Sequence, residues 1–461
     1  MALRFDVLVI GSGPAGEKAA FQAAKLRKRV GLVERGDGLG GNCLHRGTIP
    51  SKTLRETVVS LLAAKARTAS GLQARLGKDV TLAAMMQSKE TVIRGQEEVL
   101  VHNLDRNDVT VLRGTAHFLD PWRIEILDGD GGRREAVADV IVIATGSRPA
   151  RDPQIPFDAA QVHDSDTILD IDAVPRTLTI VGAGVIGCEY ACTFAALGTR
   201  VTLMDTRPRV LDVADRETAE LLVARMRDQG ITLRLGERVA RVDVEAPGRV
   251  VAVTQSGKAV VGEMLLYAVG REGNTTELEL ENAGLQAGRR GLIEVDDHFR
   301  TAVPHIYAVG DVIGSPSLAA TAMHQGRIAM AHALGLPVNG RRTYLPYGIF
   351  TIPEISLVGE TEEQLTAANV AYEVGQAFFR EIARGEIIGD RSGMLKLLFE
   401  RESHRLRGVH IIGAHASELI HIGQAVLAFD GPIDYFVETV FNYPTLSEAY
   451  KVAALNGLNR L

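Results

Sequence analysis

The hydrophobic pattern at the N-terminus predicts a strand, a glycine-rich turn, a helix and a second strand in direct succession. A continuous apolar run at 5–10, FDVLVI, is typical of a strand in a parallel sheet that is covered on both faces. Residues 17–26 carry helical spacing, and the run VGLVE closes at Glu34. This order predicts a βαβ unit and therefore an α/β fold.

The turn between this strand and this helix has the sequence G-x-G-x-x-G. Its candidate cofactor-binding residues, with the acid that follows, are Gly11, Gly13, Pro14, Ala15, Gly16, Glu34 and Arg35. In a dinucleotide-binding unit the first glycine makes the tight turn, the second lets the backbone approach a pyrophosphate, and the third permits close helix packing. Glu34 lies 23 positions after Gly11, where a carboxylate accepts hydrogen bonds from ribose hydroxyls. The combination favours a nucleotide site over a glycine-rich turn without a ligand.

The same unit occurs a second time. The apolar run TLTIV at 177–181 precedes another G-x-G-x-x-G, and the run RVTLM ends at Asp205, again 23 positions after the first glycine. The candidate cofactor-binding residues here are Gly182, Gly184, Val185, Ile186, Gly187, Glu189, Asp205, Thr206, Arg207 and Gly270. Two such units in one chain imply two dinucleotides. The pairing favours a flavin that stays bound and a nicotinamide nucleotide that exchanges.

Composition narrows the functional classes. A chain of 461 residues predicts about three domains, and its net charge of −6 gives no reason to expect binding to nucleic acid or to an anionic membrane. There is no apolar run of about 18 residues, so no membrane span is expected. Three cysteines cannot build a disulfide framework, which favours a reducing compartment, and we expect a cytoplasmic location.

A lone cysteine lies in another glycine-rich segment, GGNCLHRGTIPSKTL at 40–54. The candidate site residues of this segment are Gly41, Cys43 and Lys52. The other two cysteines, Cys188 and Cys192, are four positions apart on one predicted helix face of the second nucleotide unit, and we interpret them as core residues. Neither is expected to form a disulfide with Cys43.

Motifs along nearly the whole chain resemble those of the class I pyridine nucleotide-disulfide oxidoreductases. They lie at 11–16, 40–52, 144–146, 182–189, 307–311, 350–362 and 441–448. By this resemblance Ala144, Thr145 and Gly146 form a second flavin motif, and Gly310 and Asp311 belong to a third, whose acid hydrogen-bonds the flavin's ribityl chain.

The resemblance implies two Rossmann-like dinucleotide-binding domains, for FAD and NAD(P), and a C-terminal α+β dimerisation domain. We expect the first part of the FAD-binding domain at 1–147 and the NAD(P)-binding domain at 148–271. The chain would then return to the FAD-binding domain at 272–342 and end in the dimerisation domain at 343–461. A homodimer or a higher homo-oligomer is expected.

Two departures from the family pattern bear on function. The family's redox-active segment carries a second cysteine five residues after the first, and here that position is Thr48. The family's catalytic histidine is replaced by Tyr443, although the accompanying acid remains as Glu448. A threonine hydroxyl cannot ionise near neutral pH or accept an electron pair, so we expect no dithiol relay. Electrons would then enter and leave at the nicotinamide face.

Three local signatures are similar to the soluble, energy-independent transhydrogenases of this family: Cys43 with Thr48, the run HIGQAV, and the tail FNYPTLSEAYKVAALNGLNR. This similarity implies hydride transfer from NADPH to NAD⁺ and the reverse through bound FADH₂, with ping-pong kinetics. The alternatives are an NAD(P)H dehydrogenase or diaphorase that reduces a quinone, a dye or oxygen, and a non-catalytic flavoprotein that serves as a binding module.

The resemblance also suggests roles for individual side chains. Lys52 would lie under the flavin and stabilise charge on the reduced ring, and Glu189 would pair with Lys52 near the nicotinamide. Cys43 is either a small packing residue or a reactive thiol that forms a sulfenic acid. The histidines form no metal-ligand pattern, so no metal site is expected.

The residues at the end of the second unit's second strand bear on the choice of nicotinamide nucleotide. A carboxylate at Asp205 favours NAD(H), because it accepts ribose hydroxyls and repels the extra phosphate of NADP(H). Arg207 and Arg209 could pair with that 2′-phosphate, or they could be solvated surface charges. The mixture is consistent with use of both NAD(H) and NADP(H).

Overall fold

A computed structural model of the protein describes residues 2–69, 82–337 and 344–461. The part of the chain up to residue 149 forms the following elements in chain order: β1 Leu3–Ile10, α1 Pro14–Lys25, β2 Val30–Glu34, α2 Gly41–His45, α3 Thr48–Ala69, α4 Leu82–Arg106, β3 Thr110–Arg113, β4 Thr115–Asp120, β5 Arg123–Leu127, β6 Arg133–Ile143 and β7 Ser147–Pro149. The strands β3, β2, β1 and β6 lie side by side and parallel, and β5 and β4 extend the sheet in antiparallel fashion. The predicted βαβ unit is confirmed.

The second segment repeats this unit: β8 Val162–His163, β9 Thr177–Val181, α5 Val185–Ala196, β10 Arg200–Asp205, α6 Arg216–Asp228, β11 Thr232–Leu235, β12 Val239–Ala246, β13 Arg249–Thr254, β14 Ala259–Gly262 and β15 Met264–Tyr267. A parallel sheet has the order β11-β10-β9-β15-β8. The strands β12, β13 and β14 form a separate antiparallel sheet.

The chain then returns to the first sheet through β16 Arg271–Gly273, β17 Ile306–Ala308 and α7 Ala319–Ala333. Strand β17 pairs parallel with β6 and is the seventh strand of the first sheet, whereas β16 and β7 form a separate two-stranded antiparallel sheet. A Cβ at Gly326 would lie 2.1 Å from the carbonyl oxygen of Ala15, so α7 packs directly on the backbone of α1. The expected exit and return of the chain is therefore present, and the residue boundaries at 147 and 271 stay predictions.

The last segment is α+β, as predicted. Its elements are β18 Tyr347–Ile349, β19 Ile355–Gly359, α8 Glu362–Ala367, β20 Tyr372–Phe378, α9 Ala383–Ile388, β21 Met394–Glu400, β22 Leu406–Ile412, α10 Ala416–Ala428, α11 Asp434–Glu438 and α12 Glu448–Leu458. The strands form an antiparallel sheet with the order β18-β19-β22-β21-β20. The boundary expected between 342 and 343 lies outside the described residues.

No helix within the described ranges is both long and apolar enough to cross a membrane.

A fully buried lysine joins the second nucleotide unit to the last sheet. Lys396 lies within the apolar strand β21, and its ammonium is 2.9 Å from Asp215 and 3.0 Å from Glu217 at the start of α6. The same ammonium also pairs with Glu362. Burial acts to lower the pKa of Lys396, but the hydrogen bonds that its ammonium donates to Glu362 and Asp215 raise it above its ordinary value. Because buried charges must be paired, this cluster fixes α6 against the C-terminal sheet.

We predict that Lys396→Met, which conserves volume, lowers the free energy of unfolding by about 3 kcal/mol at neutral pH, since it leaves three carboxylates without their cation. The lysine's raised pKa means that its stabilisation is fully present below about pH 10 and is lost only in more alkaline solution. Urea unfolding measures the change. Lys258→Ala, which removes the exposed ion pair with Glu237, serves as the control and should cost less than about 1 kcal/mol. Equal losses for the two variants would contradict this account.

Candidate functional site

One cavity of about 970 Å³ runs between the two nucleotide units and reaches the Cys43 segment and the C-terminal sheet. This volume is at the upper end of the usual range for ligand sites. Every site residue predicted from the sequence lines the cavity except Gly16 and Gly187. The two glycine loops, which are far apart in the chain, are thus brought to a single space.

The first glycine of each loop makes the turn that brings the loop against the neighbouring strand. Gly11 has φ +105° and Gly182 has φ +110°, a region that L side chains rarely adopt. A Cβ at Gly11 would lie 2.4 Å from the carbonyl oxygen of Ala144, and a Cβ at Gly182 would lie 2.4 Å from that of Ala268. The two loops therefore have the same geometry and the same intolerance of a side chain.

The third glycine of each loop acts through packing. A Cβ at Gly16 would lie 1.9 Å from the carbonyl oxygen of Gly11, and a Cβ at Gly187 would lie 1.8 Å from that of Gly182. Each helix therefore begins directly on its own loop. Gly16 and Gly187 shape the site without lining it.

The helix N-termini that follow these loops offer unpaired backbone amides. Helix α1 begins at Pro14 and α5 at Val185, and neither has a side-chain cap. Such a terminus is an anion site, because several N–H groups and the helix dipole favour negative charge. A Cβ at Gly13 would meet nothing within 4 Å, and the buried hydroxyl of Thr145 has no hydrogen-bond partner. The residues present therefore fit the pyrophosphate-containing dinucleotides that the sequence predicts.

The two acids that follow the loops are also held alike. Glu34 accepts a hydrogen bond from the backbone N–H of Ser12 at 3.0 Å, and Asp205 accepts one from that of Ala183 at 2.6 Å. Each acid therefore hydrogen-bonds the backbone of its own glycine loop and also lines the cavity. Burial acts to raise the pKa of Asp205, but hydrogen bonds from Arg207 hold it below its ordinary value.

The predicted ion pair between Lys52 and Glu189 is present. Lys52 Nζ lies 2.6 Å from Glu189 Oε2, and the backbone N–H of Phe350 donates to Glu189 Oε1 at 2.8 Å. The ammonium also lies 5.2 Å from the centre of the Phe350 ring, within cation–π range. This contact joins α3, α5 and the C-terminal segment at the cavity wall.

The Cys43 thiol faces a hydroxyl rather than a second thiol. Burial raises the pKa of the Cys43 thiol above its ordinary value, although hydrogen bonding with Thr48 acts in the opposite direction. A protonated thiol is a poor nucleophile, so burial of the thiol favours the packing interpretation of Cys43 over the reactive one. Cys188 and Cys192 are fully buried in the core of the second unit, as predicted.

The sequence did not predict a cluster of hydrogen bonds around Asp311. The Ser147 hydroxyl donates to Asp311 at 2.7 Å, and Arg271 Nε donates to the Ser147 hydroxyl at 2.8 Å. Arg271 also hydrogen-bonds with Ser165 at 3.3 Å. Arg271 directly follows Gly270, which the sequence analysis did select. Its partners Ser147 and Ser165 lie more than 100 positions away in the sequence, so the contacts themselves were not predictable.

Tyr443, which occupies the position of the family's histidine, does not line the cavity of the single chain. Its ring is largely exposed, whereas the buried Oε2 of Glu448 has no hydrogen-bond partner. Whatever Tyr443 contacts in an assembly, it offers no imidazole for thiol proton transfer.

Comparison with known proteins agrees with this geometry. Residues 5–326 match the family model described as pyridine nucleotide-disulphide oxidoreductase, and residues 345–454 match the dimerisation domain of the same family. The chain belongs to this family. Membership implies FAD and nicotinamide dinucleotides as cofactors. The match to the dimerisation domain indicates a homo-oligomer.

The chain is similar to named relatives over nearly their full length. The chain is 50% identical over 460 residues to the soluble pyridine nucleotide transhydrogenase of Mycobacterium bovis, covering 99% of this chain and 98% of that protein. It is 47% identical over 467 residues to the protein of the same name from Hahella chejuensis, with 99% of each covered.

Among solved structures, LpdA from Mycobacterium tuberculosis is similar, with a TM-score of 0.91, 30% identity, and 98% of this chain and 99% of that one covered. The HOCl-induced flavoprotein disulfide reductase RclA from Escherichia coli is also similar, with a TM-score of 0.88 and 27% identity over 98% of this chain and 99% of that one.

We predict that Cys43 resists alkylation at pH 7, reacting at least roughly tenfold more slowly with iodoacetamide than free cysteine does, because its raised pKa keeps the thiol protonated. The rate should rise only as the pH passes above about 8.5, the ordinary thiol value. Mass spectrometry of the labelled protein measures the rate, with Cys43→Ser giving the background from the buried cysteines. Rapid labelling at pH 7 would instead support the reactive interpretation.

Proposed function

We propose that the protein is an FAD-dependent soluble transhydrogenase that moves hydride from NADPH to NAD⁺ and back. The observation that carries the proposal is the pairing of Cys43 with Thr48 beside the cavity, where a disulfide reductase needs two cysteines. Without a second sulfur, electrons have no route to a disulfide substrate. The names and high identity of the relatives from Mycobacterium bovis and Hahella chejuensis support the same activity.

In this proposal the first nucleotide unit and the return segment hold one FAD per subunit. The loop with Gly11 and Gly13, the N-terminus of α1, and Glu34 would bind its pyrophosphate and ribose. Asp311, oriented by Ser147, would hydrogen-bond the ribityl chain. When bound, FAD supplies a two-electron carrier that accepts hydride from one nicotinamide and returns it to another.

The second unit would bind NADPH and NAD⁺ in turn at one site, which gives ping-pong kinetics. The loop with Gly182 and Gly184 would take the pyrophosphate. Glu189 reaches the cavity from the first turns of the same helix, and its contacts with Lys52 and Phe350 fix both carboxylate oxygens. In this proposal the ammonium of Lys52 would lie where negative charge develops on reduction and would stabilise it. The match to a dimerisation domain supports a homodimer.

The first test is the steady-state reduction of thio-NAD⁺ by NADPH with purified holoenzyme. We expect turnover in the ordinary enzyme range of about 1–10³ s⁻¹, with parallel double-reciprocal lines because one nucleotide leaves before the next binds. Lipoamide and glutathione disulfide should not be reduced. Negligible transfer to thio-NAD⁺ together with rapid quinone or oxygen reduction would instead identify an NAD(P)H dehydrogenase. A flavin that neither nucleotide bleaches would identify a binding module.

The assignment of the two units is tested by a matched pair of substitutions. Gly11→Ala should yield protein with little bound flavin. Gly182→Ala should keep its flavin but bind NADPH about 5- to 150-fold more weakly, since each Cβ would strain its loop by about 1–3 kcal/mol. The ratio of flavin to protein absorbance and anaerobic titration with NADPH measure the two effects. Gly230→Ala, at a positive φ in open space beyond α6, is the control. A reversed pattern would overturn the assignment.

A further inference from the structure

The acids of the two nucleotide units differ in how they meet their neighbouring arginines. In the first unit Arg35 turns away from Glu34 and pairs with Glu277 at 2.7 Å. Glu34 Oε1 accepts a hydrogen bond from the backbone N–H of Gly36, and Oε2 accepts two, from the backbone N–H and from the hydroxyl of Ser12. A carboxylate has about four acceptor positions, so Glu34 keeps capacity for a ribose hydroxyl.

In the second unit the side chain of Arg207 forms an ion pair with Asp205. Arg207 donates to Asp205 Oδ1 from Nε at 3.0 Å and to Oδ2 from Nη2 at 2.6 Å. The backbone N–H groups of Ala183 and Arg207 donate to the same carboxylate at 2.6 and 2.8 Å. With about four acceptor positions in all, Asp205 is saturated and has no lone pair left for a ribose.

A nucleotide that enters the second unit therefore meets a guanidinium rather than a bare carboxylate. Arg207 lines the cavity, and its Nη2 is 3.7 Å from the position of a Cβ on Gly184, directly over the phosphate-binding loop. Arg209, in contrast, does not line the cavity and lies 3.5 Å from Glu363. Of the two arginines considered from the sequence, Arg207 is the one positioned to meet a 2′-phosphate.

Arg207 is also held from outside the cavity. Its Nη1 donates to Asp212 Oδ2 at 3.1 Å, and Asp212 is exposed and does not line the cavity. The hydrogen bond to Asp205 is the main cause that raises the pKa of Arg207, with Asp212 contributing, so the guanidinium stays charged. A 2′-phosphate must compete with Asp212 for Nη1, whereas a nucleotide without that phosphate has no need of this donor.

We propose that Asp212 is a specificity-determining residue that restrains Arg207 and so weakens the binding of NADP(H) relative to that of NAD(H). The proposal rests on the proposed function, because it concerns nucleotides that share the second unit. It explains how an acid at Asp205 is compatible with NADP(H): Arg207 neutralises Asp205, and Asp212 limits how strongly Arg207 attracts the extra phosphate.

The test measures the dissociation constants of NADPH and NADH from the concentration dependence of flavin reduction in anaerobic stopped-flow experiments. Asp212→Asn keeps the shape of the side chain and removes its charge. We expect NADPH to bind about threefold more tightly, a size typical of an ion pair with both partners partly exposed, and NADH to bind within error as before. The gain should shrink at high salt, which screens such charges.

Arg207→Gln provides the second arm of a double-mutant cycle. This variant should bind NADPH at least roughly tenfold more weakly, because it removes a charged partner of the phosphate, while NADH binding is kept or improved as Asp205 becomes free. Adding Asp212→Asn to Arg207→Gln should then have no further effect, since Asp212 acts only through Arg207.

Glu220→Gln is the matched control, because Glu220 pairs with Arg216 on the exposed face of α6 in the same unit. It should change neither constant. Equal effects of Asp212→Asn on NADPH and NADH, or an undiminished effect in the Arg207→Gln background, would overturn the proposal. The binding ratio is measured in the reductive half-reaction alone, so it stays readable even if transfer to NAD⁺ fails and the proposed transhydrogenase function is wrong.

Discussion

The ion pair of Lys52 and Glu189 is the contact on which the arrangement of the site depends. Lys52 comes from the segment that follows the first nucleotide unit, Glu189 from the first helix of the second unit, and Phe350 binds the same carboxylate from the C-terminal segment. A charge at a partly buried position is costly unless it is paired, so each part of the chain holds the other two in register. Lys52, Glu189 and Phe350 all line the cavity, so it lies where these three parts meet. Lys396 provides a second constraint at a distance, where it ties α6 to the C-terminal sheet.

Much of this fold follows from local pattern. The strands ending at Glu34 and Asp205 and the glycine loops before α1 and α5 were predictable, because apolar runs, helical spacing and glycine positions are all properties of short segments. The resemblance of longer motifs indicated that the chain returns to its first sheet through β17. The antiparallel strands β12–β14 were not predicted, although the alternation of polar and apolar residues at 241–246 and the Pro-Gly turn that follows are the signals of a β-hairpin.

The residues that line the site were predictable from the sequence, but most of the hydrogen bonds and ion pairs between them were not. The pair of Lys52 and Glu189 was expected from the family, whereas the contacts of Arg271 with Ser147 and of Lys396 with Asp215 join residues 124 and 181 positions apart. Only the packing of distant elements creates such contacts. Arg207 is a different case, because its partners Asp205 and Asp212 are close in sequence and only the orientation of its side chain was unknown. The choice between a surface charge and a nucleotide-facing group depended on a side-chain conformation.

The central claim is that the protein stores electrons on its flavin alone, since Cys43 faces Thr48 where a second thiol would have to lie. Anaerobic reductive titration tests this most directly. We predict that one equivalent of NADPH per flavin completes the bleaching, and that NAD⁺ added after removal of free nucleotide restores the oxidised spectrum with one NADH formed per flavin. A requirement for two equivalents per flavin would reveal a second two-electron store, and failure of NAD⁺ to reoxidise the flavin would show that electrons leave by another route; either result would contradict the account.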